Sequence, residues 1–191
     1  MEWTWSDLVL PAALAGTVLL VLVGAGCLLL CRGRNRRYLA RTAWAFVPVF
    51  VLFVGGNLLL GRFGLTWRNL PSGLFCVVLL VSGALGVLFT LGCFLPLEMP
   101  EVAPVLRWTA KGLTLLSAGL ALYCALVYGV ILLAFGYSSG ERVLEYRGQT
   151  LVEVDDSFLD PIYNYYEYRG PLVRGKEPVY KHQHSRLDGG G

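Results

Sequence analysis

The chain has 191 residues, of which 55% are hydrophobic and only 15% are charged, with a formal net charge of +3. This composition excludes a typical soluble domain with a charged surface and favours an integral membrane protein.

Four apolar segments, residues 8–30, 43–60, 74–95 and 113–135, lie within residues 1–136, and none contains Asp, Glu, Lys, Arg or His. About 20 apolar residues in a helix cross the hydrocarbon core of a bilayer, so each segment is a candidate span. A strand open to lipid would leave backbone groups unpaired. The predicted fold is therefore a membrane all-α four-helix transmembrane bundle. Stripes of small residues every fourth position favour close packing within this bundle, with a dimerisation face as the alternative.

A cluster of basic residues follows the first apolar segment: Arg32, Arg34, Arg36, Arg37 and Arg41. Short loops rich in Lys and Arg stay in the cytoplasm. Residues 32–42 are expected to form such a loop, which places residues 96–112 in the cytoplasm and both termini outside it, in the plasma (inner) membrane. The reverse orientation is the alternative, because residues 136–191 contain seven further Lys or Arg. The cluster is also suited to contact anionic lipid, whereas no nucleic-acid partner is expected.

The composition changes after residue 136, where nine Asp or Glu and seven Lys or Arg occur among Tyr and Gly. Alternating residues predict strands at 143–147 and 150–155 around a turn at Gly148-Gln149. An aromatic strand is expected at 162–168 and a short one at 172–180. These form a small C-terminal antiparallel β-rich extramembrane module over residues 137–180, followed by a disordered tail over 181–191.

A meander of this size is too small to bury much surface alone, so it needs a support. The loop with Trp67, the membrane surface and a second protomer are the available ones. The aromatic strand has two interpretations: a recognition surface, or cross-strand packing, which we prefer. Its weak candidate partner-binding residues are Tyr163, Tyr165, Tyr166 and Tyr168.

No catalytic, cofactor-binding or metal site is predicted, and an enzyme is not expected. Asp155, Asp156 and Asp160 do not match a calcium loop, and His182 with His184 is too small a set for a metal. Buried cysteines such as Cys27 and Cys31 are usually small apolar fillers. The apolar segments also lack the ionisable groups that transporters and proton pumps use.

The tail resembles that of small uncharacterised multi-pass membrane proteins of Gram-positive bacteria with a tyrosine-rich C-terminal segment. The similar residues are 151–160 (LVEVDDSFLD), 163–168 (YNYYEY) and 173–175 (VRG). The resemblance implies a membrane location and a folded tail, and it assigns no catalytic residue. Asp156 is an additional residue relative to that pattern.

These features predict a structural or interaction protein of the bacterial cell envelope that presents a tyrosine-rich extracytoplasmic β module. Its partners are the lipid bilayer and a membrane or envelope protein, or a second copy of the chain. The alternatives are a small transporter or channel subunit for a neutral solute, and an immunity-type protein against a membrane-active peptide.

Overall fold

A computed structural model describes residues 5–98, 100–137, 140–155 and 162–183. It contains four helices that are long and apolar enough to cross a membrane. These are α1 (Trp5–Leu30), α2 (Arg34–Arg62), α3 (Asn69–Phe94) and α4 (Pro104–Ile131). A π-helical segment, Leu132–Tyr137, continues from α4. The predicted set of four apolar helices is confirmed.

The start of α2 differs from the prediction. The helix begins at Arg34 and not at residue 43, so only residues 31–33 connect it to α1. Gly33 has φ 117°, which permits this sharp connection. Arginine has a high helix propensity, so the basic residues extend the helix beyond its apolar part. The expected loop over residues 32–42 is therefore wrong, and four of the five arginines lie on the first turns of α2.

The contacts within the chain divide it into two compact units. Unit 1 comprises Met1–Pro48 and Val78–Val130, and unit 2 comprises Val49–Val77 and Ile131–Gly191. The predicted boundary after residue 136 separated all helices from the strands. Instead, the helical residues in Val49–Val77 belong to the same unit as the sheet.

Within unit 1, small residues allow the helices to approach one another. A Cβ atom at Gly16 of α1 would lie 3.4 Å from the side chain of Ser117 in α4, and one at Gly24 would lie 3.2 Å from Thr90 in α3. Ala118 of α4 is also buried. The stripes of small residues thus pack helices of one chain together, as the bundle interpretation predicts.

The polar side chains in these helices bond to their own helix. Ser82 donates to the carbonyl oxygen of Val78 at 2.6 Å, and Thr114 donates to that of Ala110 at 2.8 Å. Both acceptors lie four residues earlier, which is the usual partner of a hydroxyl in an apolar helix. These two hydroxyls do not need a polar cavity to be satisfied.

Unit 2 contains one antiparallel sheet of five strands in the order β1-β5-β4-β3-β2. The strands are β1 (Leu65–Trp67), β2 (Glu141–Tyr146), β3 (Gln149–Asp155), β4 (Ile162–Tyr168) and β5 (Val173–Gln183). The C-terminal antiparallel module is thereby confirmed. Its fifth strand was not predicted: β1 comes from the connection between α2 and α3 and pairs with β5. The loop with Trp67 is therefore a support of the sheet.

Several strand boundaries differ from the sequence prediction, and β2 begins at Glu141 and not at residue 143. The hairpin turn is Arg147-Gly148, one residue earlier than expected, and both residues have positive φ, 50° and 77°. A two-residue hairpin turn of this type requires that conformation. Strand β5 reaches Gln183, because its last residues pair with β4, so the tail begins later than residue 181. The predicted turn at 157–161 and residues 184–191 lie outside the described residues.

The contact between α2 and β1 depends on a glycine. A Cβ atom at Gly56 would lie 2.6 Å from Cζ2 of Trp67, whose ring also packs against Phe75 at 5.5 Å between centroids. We expect Gly56→Ala to lower the free energy of unfolding by about 1–3 kcal/mol, because the rigid indole must move. Thermal unfolding of the purified protein in detergent measures this effect.

The neighbouring Gly55 provides the matched control, since a Cβ atom there meets nothing within 4 Å. Alanine is a better helix former than glycine, so Gly55→Ala should keep or raise the unfolding temperature. Equal unfolding temperatures for the two variants would contradict a tight contact with Trp67.

Candidate functional site

One face of the sheet carries a tyrosine cluster. The strand register places Leu144 opposite Leu151, and Glu153 opposite Tyr165, which itself lies opposite Tyr180. Directly opposed residues of antiparallel strands share a face. These side chains therefore lie together on one side of β2, β3, β4 and β5.

Two tyrosines from distant strands cover this face. The rings of Tyr146 in β2 and Tyr180 in β5 approach within 5.9 Å in an edge contact, although β3 and β4 lie between their strands. Adjacent strands are about 4.8 Å apart, so the two backbones are separated by roughly 14 Å and both side chains must reach inward. Beneath them Leu151 is 1% exposed and Tyr165 is 0% exposed.

The predicted tyrosines of β4 do not form a single surface. Tyr165 is fully buried, and its hydroxyl donates to Glu153 Oε2 at 3.1 Å. Tyr163 packs half-buried against the same cluster. Because side chains alternate along a strand, Tyr166 and Tyr168 point to the opposite face. A recognition surface that includes Tyr165 is excluded in this fold, in agreement with the preferred packing interpretation.

The opposite face contains a buried ionic group, the Glu141 cluster, formed by Arg68, Asn69, Glu141 and Arg174. Arg68 Nε donates to Glu141 Oε2 at 2.7 Å, and the backbone N–H of Asn69 donates to Oε1 at 2.9 Å. Arg174 Nε lies 3.8 Å from Oε1. The Glu141 side chain is 6% exposed, and those of Arg68 and Arg174 are 15% and 13% exposed.

Aromatic rings complete the surroundings of both guanidinium groups. Arg174 Cζ lies 3.9 Å from the centroid of the Tyr166 ring, and Arg68 Cζ lies 5.9 Å from that of Tyr168. The Nε and Nη1 atoms of Arg174 are buried without a hydrogen bond to any residue described. Burial of these two atoms without hydrogen bonds costs the Arg174 guanidinium part of its solvation free energy. Its position over the Tyr166 ring compensates part of this cost, because a desolvated cation over an aromatic face gains about 2 kcal/mol or more.

The Glu141 cluster joins four elements of unit 2. Its members come from the segment after β1, the first residue of α3, and strands β2 and β5. Sequence reasoning missed it, because Arg68 and Glu141 are 73 positions apart and no local pattern relates them. The role of the cluster is structural, because it anchors the sheet to the start of α3.

Unit 1 has a second polar region where α1 and α3 end and α2 begins. Arg36 Nε donates to the carbonyl oxygen of Leu28 at 2.8 Å, and Asn35 Nδ2 donates to that of Gly92 at 2.9 Å. Lys111 bonds the carbonyl oxygen of Leu95. These donors satisfy carbonyl groups that helix ends leave without a backbone partner.

Among the described residues, Arg32 and Arg34 differ from Arg36 in having no such hydrogen-bond partner. Neither forms an ion pair or a side-chain hydrogen bond within the part of the chain that the structure describes, and both line a cavity of about 570 Å³. The other lining residues are Leu30, Cys31, Asn35, Gly92, Cys93, Pro96 and Leu97. All four of Arg32, Arg34, Arg37 and Arg41 are exposed, but Arg37 and Arg41 do not line the cavity.

The cysteines near this cavity form part of a core. Cys27, Cys31 and Cys93 are buried together with Leu39. Over the described ranges, no group of three or more His, Cys, Asp or Glu residues is arranged to hold a metal ion. The cysteine side chains pack as small apolar groups.

The fold defines the class of the protein: the described residues form four helices that are long and apolar enough to cross a membrane, as in a multi-pass membrane protein, and an antiparallel sheet of five strands. Comparisons with protein-family models, with curated proteins and with solved structures gave no significant match.

Proposed function

We propose that the protein is an integral membrane interaction protein of the bacterial cell envelope that presents its sheet to a protein partner outside the cytoplasm. The supporting observation is the attachment of the sheet. Strand β1 and the Glu141 cluster tie it to α2 and α3, so the module is not a flexible appendage. A surface on a rigid support loses little conformational entropy on binding.

The contact surface that we propose differs from the one expected from sequence. Tyr146, Tyr163 and Tyr180 are partly exposed on one face, above the buried Tyr165. Such rings offer large apolar area and a polar hydroxyl at low entropic cost, which suits recognition of a peptide or protein surface. His182 lies beside them, with its ring 6.1 Å from that of Tyr165.

The partner surface is testable by photocrosslinking in cells. A photoreactive amino acid at Tyr180 is expected to yield a discrete adduct of higher mass. Glu145 is the control position, because it is exposed and points to the opposite face of the sheet. Equal adducts from both positions, or none from Tyr180, would contradict this surface. An adduct with a small peptide would instead support an immunity-type role.

The proposed orientation follows from the charges around α2. The helix begins within the arginine cluster and is followed by β1, so a membrane crossing puts the arginines and the sheet on opposite sides. Basic residues favour the cytoplasm, which leaves the sheet and both termini outside it.

Labelling of introduced cysteines tests this orientation. In intact spheroplasts a membrane-impermeant maleimide is expected to label Gln149→Cys, in the exposed hairpin, but to label Glu98→Cys only after permeabilisation. Both positions are exposed, whereas Cys27, Cys31 and three further native cysteines are buried or partly buried. The reverse labelling pattern would establish the opposite orientation.

The transporter alternative has less support. A groove among the helices of unit 1, of about 400 Å³, is lined mainly by apolar side chains and offers few polar partners to a solute. Flux of a neutral solute in proteoliposomes containing the protein alone would favour that alternative over ours.

A further inference from the structure

The cavity beside Arg32 and Arg34, here called the arginine cavity, has a charge that its protein surroundings do not neutralise. Its described lining contains these two arginines and no Asp or Glu. Arg36 and Lys111, close by, already bond backbone carbonyl groups. The arginine cavity is therefore suited to an anionic group, and a phosphate group, like a carboxylate, matches the geometry of a guanidinium group.

A second space in unit 1 is apolar. This groove, of about 400 Å³, is lined by single faces of α1, α2 and α3, where most lining positions recur every three or four residues, and by Ala121 of α4. The lining residues fall within 17–28 of α1, 39–47 of α2 and 82–90 of α3. Its volume falls within the usual range of ligand pockets, and its lining suits a hydrocarbon chain.

The groove and the arginine cavity follow one another along the same helices. On α1 the groove reaches Leu28 and the cavity includes Cys31, whose N–H continues the helical turn by bonding the carbonyl oxygen of Cys27. On α3 the groove reaches Thr90 and the cavity includes Cys93. Residues three apart lie on one face of a helix within about one turn, so the two spaces adjoin on the same helix faces. A molecule with an anionic end and an apolar tail is complementary to both.

We propose that an anionic phospholipid binds unit 1, with its phosphate group between Arg32 and Arg34 and one acyl chain in the apolar groove. The site is independent of the partner proposed for the sheet, because all its lining residues belong to unit 1. It gives Arg32 and Arg34 a function beyond orientation, and it distinguishes them from Arg37 and Arg41.

Native mass spectrometry of the full chain in detergent tests the proposal, with phosphatidylglycerol or phosphatidylcholine added. We expect one phosphatidylglycerol to be retained in preference to phosphatidylcholine. The double variant Arg32→Gln, Arg34→Gln should weaken retention about tenfold or more, since each guanidinium contributes a charge-assisted bond to the phosphate. The matched control Arg37→Gln, Arg41→Gln removes the same charge outside the cavity and should change retention by less than about threefold.

The tail of the lipid is tested separately from its headgroup. A Cβ atom at Gly86, which lines the groove, meets nothing within 4 Å, so Gly86→Leu is expected to fold and to fill the space. It should weaken phosphatidylglycerol retention without any change in charge. Gly112→Leu is the control, because that position is also open but lies outside the groove.

Two results would overturn the proposal. Equal effects of the two arginine double variants would show diffuse attraction instead of a site. Competition by inorganic phosphate at concentrations equal to the lipid, together with unchanged retention in Gly86→Leu, would identify a site for a free anion and not for a lipid.

Discussion

Replacement of Glu141 with alanine is expected to lower the free energy of unfolding by about 3–5 kcal/mol, the usual cost of removing one partner from a buried ion pair. The carboxylate is 6% exposed and faces two guanidinium groups that are also largely buried. Without it, Arg68 and Arg174 retain their charges but lose their counter-ion. The variant also leaves the backbone N–H of Asn69 without its acceptor at the start of α3.

Thermal or denaturant unfolding in detergent measures this loss, and limited proteolysis of the sheet locates it. Glu145→Ala is the control, because Glu145 lies on the same strand and is exposed. It should change stability by less than about 0.5 kcal/mol, as surface substitutions usually do. Unchanged proteolysis of the sheet in Glu141→Ala would refute the anchoring role of the Glu141 cluster.

Tyr165→Ala is expected to cost about 3–5 kcal/mol, the range for removing a buried aromatic side chain from a core. The ring is fully buried beneath Tyr146 and Tyr180, so its loss leaves a cavity that these two side chains can fill only in part. The substitution also removes a donor from the buried carboxylate of Glu153.

Tyr165→Phe separates these two contributions. It keeps the ring and removes only the hydroxyl bond to Glu153, so the expected loss is about 1.5–3 kcal/mol, typical of a hydrogen bond to a charged group. Unfolding monitored by near-ultraviolet circular dichroism is the suitable measurement, because many tyrosines surround the site. A Tyr165→Ala variant as stable as the unmodified protein would show that the ring is not part of the core.

The elements predicted correctly from the sequence have local causes. Each helix contains an uninterrupted apolar segment, and the alternation of residues in 150–155 and 162–168 indicates strands without reference to any partner. The start of α2 was missed because the prediction began the helix at the first residue of the apolar segment, residue 43, whereas it begins at Arg34. Arginine has a high helix propensity, so the helix extends beyond its apolar part.

The candidate sites were predicted only in part. The arginine cluster was recognised, but the distinction between Arg32 and Arg34, which line a cavity, and Arg37 and Arg41, which do not, depends on the approach of α3. Tyrosines were singled out in β4 because they are adjacent in sequence. Tyr146 and Tyr180, which cover the buried Tyr165, lie on other strands and carry no local sign of that role.

By itself the sequence determines four apolar helices and an antiparallel module, because hydrophobic length and alternation act over neighbouring residues. Only the tertiary structure decided that Leu65–Trp67 becomes a strand of the sheet and that Glu141 meets Arg68 and Arg174. Strand pairing and ion pairing join residues far apart in the chain. Their geometry follows from the packing of the folded protein, which no local pattern encodes.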